Sequence, residues 1–588
     1  MRRTTRLVAA SAAAMLLLGA CGSGGDDESD QPSARNTEGG NTGDAQDPTR
    51  EGPVTIEGAE KGGIVKLISV TPLETMDPSE AYYVHTAGIL SGLVTRSLTQ
   101  FAYDPETDSV TLVPDLATDL GTTNEDYTEW SFTLREGIKY EDGTPVTIED
   151  IKFGLERTMD LATFPESPGF YATQYYEGGD TYKGPYSGNG AELDTIKIDG
   201  NTVTISMATP FPDMPYWMAF PANGPIPKGD ASDPAKYKTH PLATGPYMFS
   251  EYVPKQKLTL VKNPHWDPDT DPGRTQYPDG YEMDFTVPSE QVDEIILNDQ
   301  GDAKNTMTID DIQGPNYRKF LEQAEDRVKQ GPTPCTRYWA MDYRKITDIK
   351  VRQAVGYAYP YKAAIKAAGL IEGVNRTPGS TLLPPGTPGR VDFPPLPDLE
   401  VGETDPEKSK ALLAEAGAEG FELKFLYATD DPSSVDAKDA IVKGLEEGGF
   451  TATPVPTTLE NLSTVREDPN ADINIRAAGW CADWPSGASW FPVLHKTEDV
   501  EALGQISQNY ALFSEQDVDD RMAEILASPL EEQPAAWAEL DKYIQETYYP
   551  LVVTGYDGVA WAAGSNVNGN YDDLVFGMPS FKNIWLKQ

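Results

Sequence analysis

The N-terminus decides in which compartment the rest of this chain folds. Three basic residues, Arg2, Arg3 and Arg6, precede an apolar stretch over 7–18, and small residues follow before Cys21. A basic start, a short apolar core and small residues before a cleavage point are typical of a secretory signal. The apolar stretch is too short to cross a bilayer core, which needs roughly 20 residues. We therefore expect the body of the protein to fold outside the cytoplasm.

The residues before Cys21 resemble the bacterial lipobox. Leu18-Gly19-Ala20-Cys21 combines a leucine, two small residues and a cysteine. The resemblance implies that residues 1–20 are removed and that Cys21 is lipidated, which would anchor the protein to the outer face of the cell membrane. An ordinary signal peptide with an incidental cysteine is the alternative. The Arg2-Arg3 pair also leaves the twin-arginine export route open.

The segment from 21 to 62 has the composition of a flexible linker. It is rich in Gly, Ser, Asp, Glu, Asn, Thr and Pro, and it contains no aromatic residue. Such a stretch cannot bury enough apolar surface to offset the entropy of ordering. We expect it to hold a folded body away from the membrane.

The body and its charge exclude several classes of protein. About 525 residues remain after the linker, which is too many for one core, so we expect two or three domains. The formal net charge of −46 argues against nucleic acid, which needs a basic footprint, and against anionic lipid. It indicates a protein that stays soluble outside the cell.

After Cys21 only Cys335 and Cys481 remain. An even number of cysteines in an exported chain predicts a disulfide, and two cysteines allow one pairing. Two buried free thiols are the alternative. A metal site would need further ligands, which the sequence does not offer beside them.

The body carries a series of short motifs in a fixed order. In chain order they are Leu112-Val113-Pro114-Asp115-Leu116-Ala117, Trp130-Ser131-Phe132-Thr133-Leu134, the capping-box spacing from Thr147 to Asp150, Thr244-Gly245-Pro246-Tyr247, Asn263-Pro264-His265-Trp266, Tyr338-Trp339-Ala340-Met341-Asp342-Tyr343, Leu383-Pro384-Pro385-Gly386 and Asp405-Pro406-Glu407-Lys408. Their order resembles that of the family 5 extracellular solute-binding proteins of ABC importers, of the oligopeptide- and dipeptide-binding type. The resemblance covers essentially the whole body.

Alternating strands and helices indicate an α/β class, and the resemblance supplies the rest of the expected fold. It implies a two-lobed periplasmic-binding-protein-like fold (type II, cluster C), with an extra domain inserted in the first lobe. The expected first lobe comprises 63–98, 201–334 and 553–588, the insert 99–200 and the second lobe 335–552. Hinge crossings are expected near 331–337 and 550–555, and a helix is predicted from about Val84 to Leu98.

The sharpest local signal is Gly479-Trp480-Cys481-Ala482-Asp483-Trp484, which resembles a segment of oligopeptide-binding proteins. The resemblance implies that Asp483 pairs with the α-ammonium of a bound peptide, and that Cys481 forms its disulfide with Cys335. A buried ammonium needs such a carboxylate, because an unpaired buried charge is very costly. The alternative for Asp483 is a surface or loop-capping role.

Other candidates are weaker. Trp480, Trp484 and Trp490 could line side-chain pockets, or they could pack in the core. Tyr82, Tyr83 and His85 lie at positions where first-lobe residues of this family approach the ligand. Packing in a loop or between the lobes is the alternative for them. Arg476 could bind a ligand carboxylate, or it could pair with a structural one.

Enzyme motifs are missing from the sequence. There is no HExxH pair, no G-x-S-x-G and no G-K-[ST]. Asp267-Pro268-Asp269-Thr270-Asp271 begins like a calcium loop, but Pro272 and Pro278 stand where Gly and Glu are needed, so we predict a solvated turn. We expect neither catalysis, nor a metal, nor another cofactor.

The expected function is a lipid-anchored, monomeric receptor that passes peptides to the permease and ATPase of an ABC importer. The same architecture could instead bind a nickel chelate, haem, an oligosaccharide or a siderophore. A secreted hydrolase or an adhesion module is a third hypothesis, from a different class. The sequence does not predict peptide length or a nutritional or signalling role.

Overall fold

The computed structural model describes residues 46–73, 75–104 and 109–588. The predicted signal peptide and Cys21 lie outside the described residues. Residues 46–62, predicted as linker, are held against the body instead. The Asp47 N–H donates to Leu112 C=O at 2.8 Å, and the Ile56 N–H donates to the Tyr277 hydroxyl at 3.1 Å. The linker prediction is wrong for this stretch, because its backbone finds hydrogen-bond partners on the folded protein.

The first lobe is built on a five-stranded sheet. Its strands, in spatial order, are Thr306–Met307, Ile64–Ile68, Gly280–Asp284, Lys257–Lys262 and Tyr247–Val253. The first three are parallel, and each of the last two is antiparallel to its neighbour. Its helices are Val84–Ile89, Pro234–Tyr237, Ser289–Asn298 and Gly314–Ala324. The first helix continues as a wider π-helical turn, Leu90–Val94, so it ends before the predicted Leu98.

The insert has its own antiparallel sheet and core. The strands, in spatial order, are Thr122–Thr123, Glu129–Thr133, Thr202–Ser206 and Ile196–Asp199. A hairpin of Thr99–Asp104 and Ser109–Pro114 and the helices Ile148–Thr158, Phe170–Tyr175 and Met214–Trp217 complete it. Residues of all these helices and of the hairpin contribute to one apolar cluster.

The predicted end of the insert at residue 200 is wrong. Ile196–Asp199 pairs with Thr202–Ser206 across the turn at that position. Val203 and Ile205 are fully buried in the insert's core. A hairpin cannot be divided between two domains, so the insert continues at least to Ser206.

The capping box at Thr147 is confirmed, and it begins a helix that ties the insert to the first lobe. The Thr147 side chain accepts from the Asp150 N–H, and the Asp150 carboxylate accepts from the Thr147 N–H. Near the other end of this helix, the Arg157 guanidinium donates to both oxygens of Asp77, at 2.5 and 2.6 Å. Both side chains are fully buried.

The second lobe contains a six-stranded sheet. Its strands, in spatial order, are Arg376–Thr377, Leu551–Ala562, Val328–Met341, Ile475–Cys481, Glu422–Ala428 and Thr451–Thr457. The last three are parallel and the others antiparallel. Its helices are Ile349–Ala358, Tyr361–Ala367, Pro406–Glu415, Pro432–Glu447, Leu459–Glu467, Phe491–Leu494, Val500–Leu503, Gln516–Leu526 and Gln533–Thr547.

Two long strands, Val328–Met341 and Leu551–Ala562, run from one lobe to the other. Their ladder is interrupted between Pro332 and Thr336, where proline has no N–H to donate. This interruption lies within the predicted first crossing. Pro332 is paired with Gly558. The second strand, Leu551–Ala562, therefore passes between the lobes slightly beyond the predicted crossing at 550–555. Pro550 precedes that strand and does not interrupt it.

The C-terminal segment returns to the first lobe. The short strands Val567–Asn568 and Trp585–Leu586 pair with each other, as do Asp572–Asp573 and Met578–Pro579. Val567, Met578 and Leu586 are buried in the first-lobe core.

The turn at Asp267–Asp271 is solvated only in part. Asp271 is fully buried and pairs with Arg274 at 3.1 Å and with Arg96 at 3.6 Å. Burial alone would raise the pKa of Asp271, but the two guanidinium groups hold it below its usual value. The prediction is therefore wrong for Asp271. Among the described residues no group of three or more His, Cys, Asp or Glu could hold a metal ion. That part of the chain also has no helix long and apolar enough to cross a membrane.

Candidate ligand-binding site

Asp483 lies where the lobes and the insert meet. It follows the strand Ile475–Cys481 by two residues, at the carboxyl end of the parallel part of the sheet, where open α/β sheets bind their ligands. The Tyr171 hydroxyl, from the insert, donates to Asp483 Oδ2. The Tyr82 hydroxyl, from the first lobe, lies 3.5 Å from the same oxygen. Asp483 therefore directs its charge into the space between the three units.

Burial dominates the electrostatics of this contact. It raises the pKa of Asp483 to about 6, although the hydroxyls of Tyr171 and Tyr82 act against the shift. Burial, reinforced by the Asp483 carboxylate, also raises the pKa of both tyrosines well above the usual value. The tyrosines thus remain neutral donors, and the ionised carboxylate is poised to accept a stronger, cationic donor.

Trp484 makes the second contact across the cleft. Its indole N–H donates to Asp213 Oδ2 at 2.5 Å, and each of the two residues is 3 % exposed. The indole packs with its ring centre 5.0 Å from that of Tyr171 and within the insert's apolar cluster. Burial raises the pKa of Asp213 to about 6. A second-lobe tryptophan is thus bound inside the core of the insert.

Hydrogen bonds alternate along the strand Ile475–Cys481. The Ala482 N–H donates to Pro334 C=O at 2.8 Å, just past the strand's end. In an antiparallel pair such bonded residues alternate with residues whose backbone groups point away. Because Cys335 lies opposite Cys481, the even-numbered residues of Ile475–Cys481 direct their backbone N–H and C=O groups toward the strand Val328–Met341.

The odd-numbered residues Ala477, Gly479 and Cys481 therefore direct their N–H and C=O groups to the other side of the strand. On that side Glu422–Ala428 pairs only at Ile475. Beyond Ile475, no other strand of the described ranges is paired there. Ala477 and Cys481 are also exposed. The Ala477 C=O accepts a hydrogen bond from Arg466 Nη1 at 3.4 Å. From Gly479 to Cys481 the strand thus has an open edge, which can pair with an extended ligand.

A disulfide supports this edge. The structure joins Cys335 and Cys481, the predicted pair, directly opposite each other in adjacent strands. The bond fixes the register of the strand that ends beside Asp483.

Three charged side chains from neighbouring strands of this sheet lie close together. Arg337 donates from Nε to Asp557 Oδ2 at 2.7 Å, and Arg376 Nε lies 2.7 Å from Asp557 Oδ1. Burial would raise the pKa of Asp557, but the two arginines hold it below its usual value. We call Arg337, Arg376 and Asp557 the arginine pair site.

Three of the predicted ligand residues make contacts within the second lobe. Arg476 is fully buried, paired with Asp342 at 3.0 Å, so its predicted role as a ligand residue is wrong. Trp490 is fully buried in the second-lobe core. Trp480 packs against the same core, and its indole N–H donates to Ser489 C=O at 2.8 Å. Arg476 and Trp480 have even numbers and share one face of the strand Ile475–Cys481, whereas Trp490 lies beyond this strand, next to the helix Phe491–Leu494.

The first-lobe candidates are divided. Tyr82 reaches Asp483. Tyr83 is 44 % exposed. His85 lies close enough to Asp310 for the charge of that carboxylate to affect the pKa of His85. Burial lowers the pKa of His85, and Asp310 opposes the shift.

Sequence reasoning missed Tyr171, Asp213 and Arg337. The first two lie outside every motif that was recognised. Arg337 could have been found, because residues two apart in a strand share a face, and Arg337 follows Cys335 by two. Because Cys335 and Cys481 lie opposite each other in antiparallel strands, Arg337 lies opposite Gly479.

Comparison with known proteins agrees with this architecture. Residues 111–500 match the family model of bacterial extracellular solute-binding proteins, family 5. The periplasmic oligopeptide-binding protein OppA of Escherichia coli K12 is 24% identical over 426 residues, which cover 70% of this chain and 74% of OppA.

Solved structures show the same fold. A clavulanic acid biosynthesis oligopeptide-binding protein superposes with a TM-score of 0.81 at 23% identity, covering 94% of this chain and 99% of its own. Haemophilus influenzae OppA in complex with RPPGFSPFR has a TM-score of 0.62 at 17% identity, covering 90% of this chain and 99% of its own. The α/β two-lobed fold is therefore confirmed.

Proposed function

This chain belongs to family 5 of the bacterial extracellular solute-binding proteins, and we propose that it is the peptide-binding component of an ABC importer. Members of the family are binding proteins, and we extend this to the present chain, for which we propose no catalysis. The names of the E. coli and H. influenzae relatives support a peptide as ligand. The observation that carries the proposal is the open strand edge that ends at the partly buried carboxylate of Asp483.

The open edge suits the main chain of a peptide. An extended ligand would pair with Gly479 and Cys481 through backbone hydrogen bonds, which every peptide sequence can make. Side chains would then alternate between the two faces of the added strand. Recognition of this kind tolerates many sequences and depends on the fixed ends of the ligand.

Asp483 would hold the N-terminus. The α-ammonium of the peptide would replace the tyrosine hydroxyls as donor to the carboxylate, so that both the donor and the acceptor of the hydrogen bond would be ionised. Loss of Asp483 would leave the ammonium buried and unpaired, at a cost of about 2–5 kcal/mol in binding.

Ligand binding would be coupled to closure of the lobes. Tyr82 and Tyr171 approach from the first lobe and the insert, whereas Asp483 and Trp484 belong to the second lobe. A peptide that contacts both sides favours the closed form by its difference in affinity for the closed and open forms.

Delivery to the permease and attachment to the membrane complete the proposal. We propose that Cys21 carries a lipid, that the monomer acts outside the cytoplasmic membrane, and that it hands its ligand to a separate permease and ATPase. Mass spectrometry of the mature N-terminal peptide tests the lipid. An unmodified Cys21, or a cleavage site elsewhere, would contradict it.

Native mass spectrometry tests the ligand class. A pool of two- to eight-residue peptides is offered to the protein beside the same pool N-acetylated. We expect selective binding of the free-amine peptides. Equal binding of both pools would retain a peptide receptor and remove the ammonium contact at Asp483. Binding of neither would overturn the peptide assignment in favour of another solute.

A further inference from the structure

The disulfide between Cys335 and Cys481 lies on the cleft face of the strand Ile475–Cys481. Side chains at even positions of this strand, such as Trp480, pack against the second-lobe core. Because neighbouring side chains of a strand point to opposite faces, the side chain of Cys481 lies on the other face. Cys481 is exposed and Cys335 is half-buried. A ligand in the cleft can therefore reach this bond.

The direction of the disulfide leaves one of its sulfurs open to attack. The bond runs from Cys335, in the strand Val328–Met341, to Cys481 in the neighbouring strand. The open edge from Gly479 to Cys481 lies on the side of Cys481 that faces away from Cys335. In thiol–disulfide exchange a thiolate attacks one sulfur, and the new bond forms opposite the bond that breaks. A nucleophile at the open edge would therefore attack Cys481 and release Cys335.

A peptide added at this edge would place one of its side chains beside Cys481. With its ammonium on Asp483, the peptide runs antiparallel to the strand Ile475–Cys481. Cys481 precedes Asp483 by two residues, or about 7 Å along the strand, which corresponds to the second or third residue of the peptide. Residues directly opposite each other in antiparallel strands share a face and have Cβ atoms about 4.5–5.5 Å apart. A cysteine at that position of the peptide would bring its sulfur to Cys481 Sγ.

We propose that Cys481 captures thiol-containing peptides covalently, namely those with a cysteine at the second or third position. The inference rests on the proposed function. The peptide thiolate attacks Cys481 Sγ, a bond forms between these two sulfurs, and the Cys335–Cys481 bond breaks with its electron pair leaving on Cys335 Sγ. The proton of the peptide thiol passes to water or to the Cys335 thiolate. One disulfide is exchanged for another, so no further oxidant or reductant is needed.

The arginine pair site favours this exchange. Arg337 follows Cys335 by two residues and lies opposite Gly479. Two guanidinium groups share the single carboxylate of Asp557, so the three side chains have a net charge of +1. A nearby positive charge lowers the pKa of a thiol, and a thiol of lower pKa leaves faster. The thiolate of Cys335 thus forms close to a charge that stabilises it.

The capture is reversible, because the released thiolate stays close to the new bond. Cys335 remains opposite Cys481 in the ladder of the two strands, so it can attack Cys481 again and return the peptide as a free thiol. Peptides without cysteine bind at the same edge through hydrogen bonds alone. The disulfide therefore distinguishes cysteine-containing peptides from the other ligands.

Mass spectrometry of the wild-type protein tests the inference. The protein is incubated with an excess of Ala-Cys-Ala-Ala or Ala-Ala-Cys-Ala, and N-ethylmaleimide then blocks the released thiol. We expect an adduct of one peptide and one maleimide, with the peptide on Cys481 and the maleimide on Cys335 after digestion. Because side chains alternate between faces, one peptide should react at least tenfold faster than the other. The N-acetylated form of the faster peptide should react at least tenfold more slowly.

A variant assigns the capture to the cleft. Asp483→Asn removes the charge that would hold the ammonium, so the free-amine peptide should slow to the rate of its acetylated form. The rate of the acetylated form should stay within twofold of wild type. Asp436→Asn, which removes an equal charge from an exposed position of the helix Pro432–Glu447, should change neither rate.

Three results would overturn the inference alone. They are the absence of an adduct with either peptide, rates that are equal for free-amine and acetylated peptides or for the two cysteine positions, and attachment of the peptide to Cys335 instead of Cys481. All three are measured on the wild type, so a misfolded variant does not protect the inference. Failure of the cysteine-free peptide Ala-Ser-Ala-Ala to bind in calorimetry would instead overturn the proposed function.

Discussion

At the scale of single residues, the protonation of Asp483 controls the proposed binding. Burial raises its pKa to about 6, and an ammonium ligand requires the ionised form. Below pH 6 each ligand must displace a proton, so the affinity should fall by about tenfold per pH unit. It should be highest near pH 7 and fall again toward pH 8, because the α-amino group of the ligand loses its proton with a pKa of about 7.7–8.0. Calorimetric titration of one bound peptide between pH 5 and pH 8 measures this, and a flat profile below pH 6 would contradict the role of Asp483.

The neighbouring residues show why a motif identifies some site residues and not others. Asp483 and Trp484 were predicted from their local sequence, and both lie at the cleft. Arg476 belongs to the same stretch and is buried, whereas Arg337, from a distant strand, is accessible. A residue's face depends on the strand register, which the sequence does not specify until the cysteine pair is known.

At the scale of secondary-structure elements, the disulfide fixes the two strands that carry the site. The cysteines are 146 residues apart, and closing so long a loop restricts the unfolded chain. We expect the double variant Cys335→Ala/Cys481→Ala to lose about 2–5 kcal/mol of unfolding free energy. Denaturant titration measures the loss.

The control for this prediction is a reductant. It should lower the stability of the wild type and leave the double variant unchanged, since the variant has no bond to reduce. Equal unfolding midpoints for wild type and variant would contradict a stabilising role of the disulfide.

The elements also divide into those that the sequence predicts and those that it does not. The helix Ile148–Thr158 begins at its predicted cap, because a capping box needs only residues three apart. The predicted boundary at residue 200 divides the hairpin of Ile196–Asp199 and Thr202–Ser206. The other partner of Thr202–Ser206 is Glu129–Thr133, about 70 residues away in sequence, and pairing over such a distance has no local signal. A local signal thus identifies the start of the helix, whereas the domain boundary depends on strand pairing.

At the scale of the whole molecule, Trp484 of the second lobe donates a hydrogen bond to Asp213, and we expect this contact to hold the lobes together in the ligand-free protein. Trp484→Phe keeps a buried ring and removes the indole donor, which leaves the Asp213 carboxylate short of a hydrogen bond. Such a loss costs about 1–3 kcal/mol. We expect the ligand-free variant to open, with a larger radius of gyration in small-angle X-ray scattering.

Trp490→Phe is the matched control for this prediction. Trp490 is fully buried in the second lobe, and among the described residues its indole N–H has no hydrogen-bond partner. The control should scatter as the wild type does. An unchanged radius of gyration in Trp484→Phe would show that this contact does not hold the lobes closed.

The two-lobed fold itself was predicted from the order of motifs along the chain, since no single motif specifies it. What that order did not predict is how the insert takes part in the site. Tyr171 and Asp213 reach second-lobe residues that follow them by 312 and 271 positions. Contacts at such separations depend on how the three units pack together.

A crystal structure of the complex with a free-amine tetrapeptide tests the central claim most directly. We predict that the peptide ammonium lies about 3 Å from Asp483, with the peptide backbone hydrogen-bonded to Gly479 and Cys481 as an added strand. A peptide bound elsewhere in the cleft, with Asp483 still bonded only to Tyr171 and Tyr82, would contradict the account.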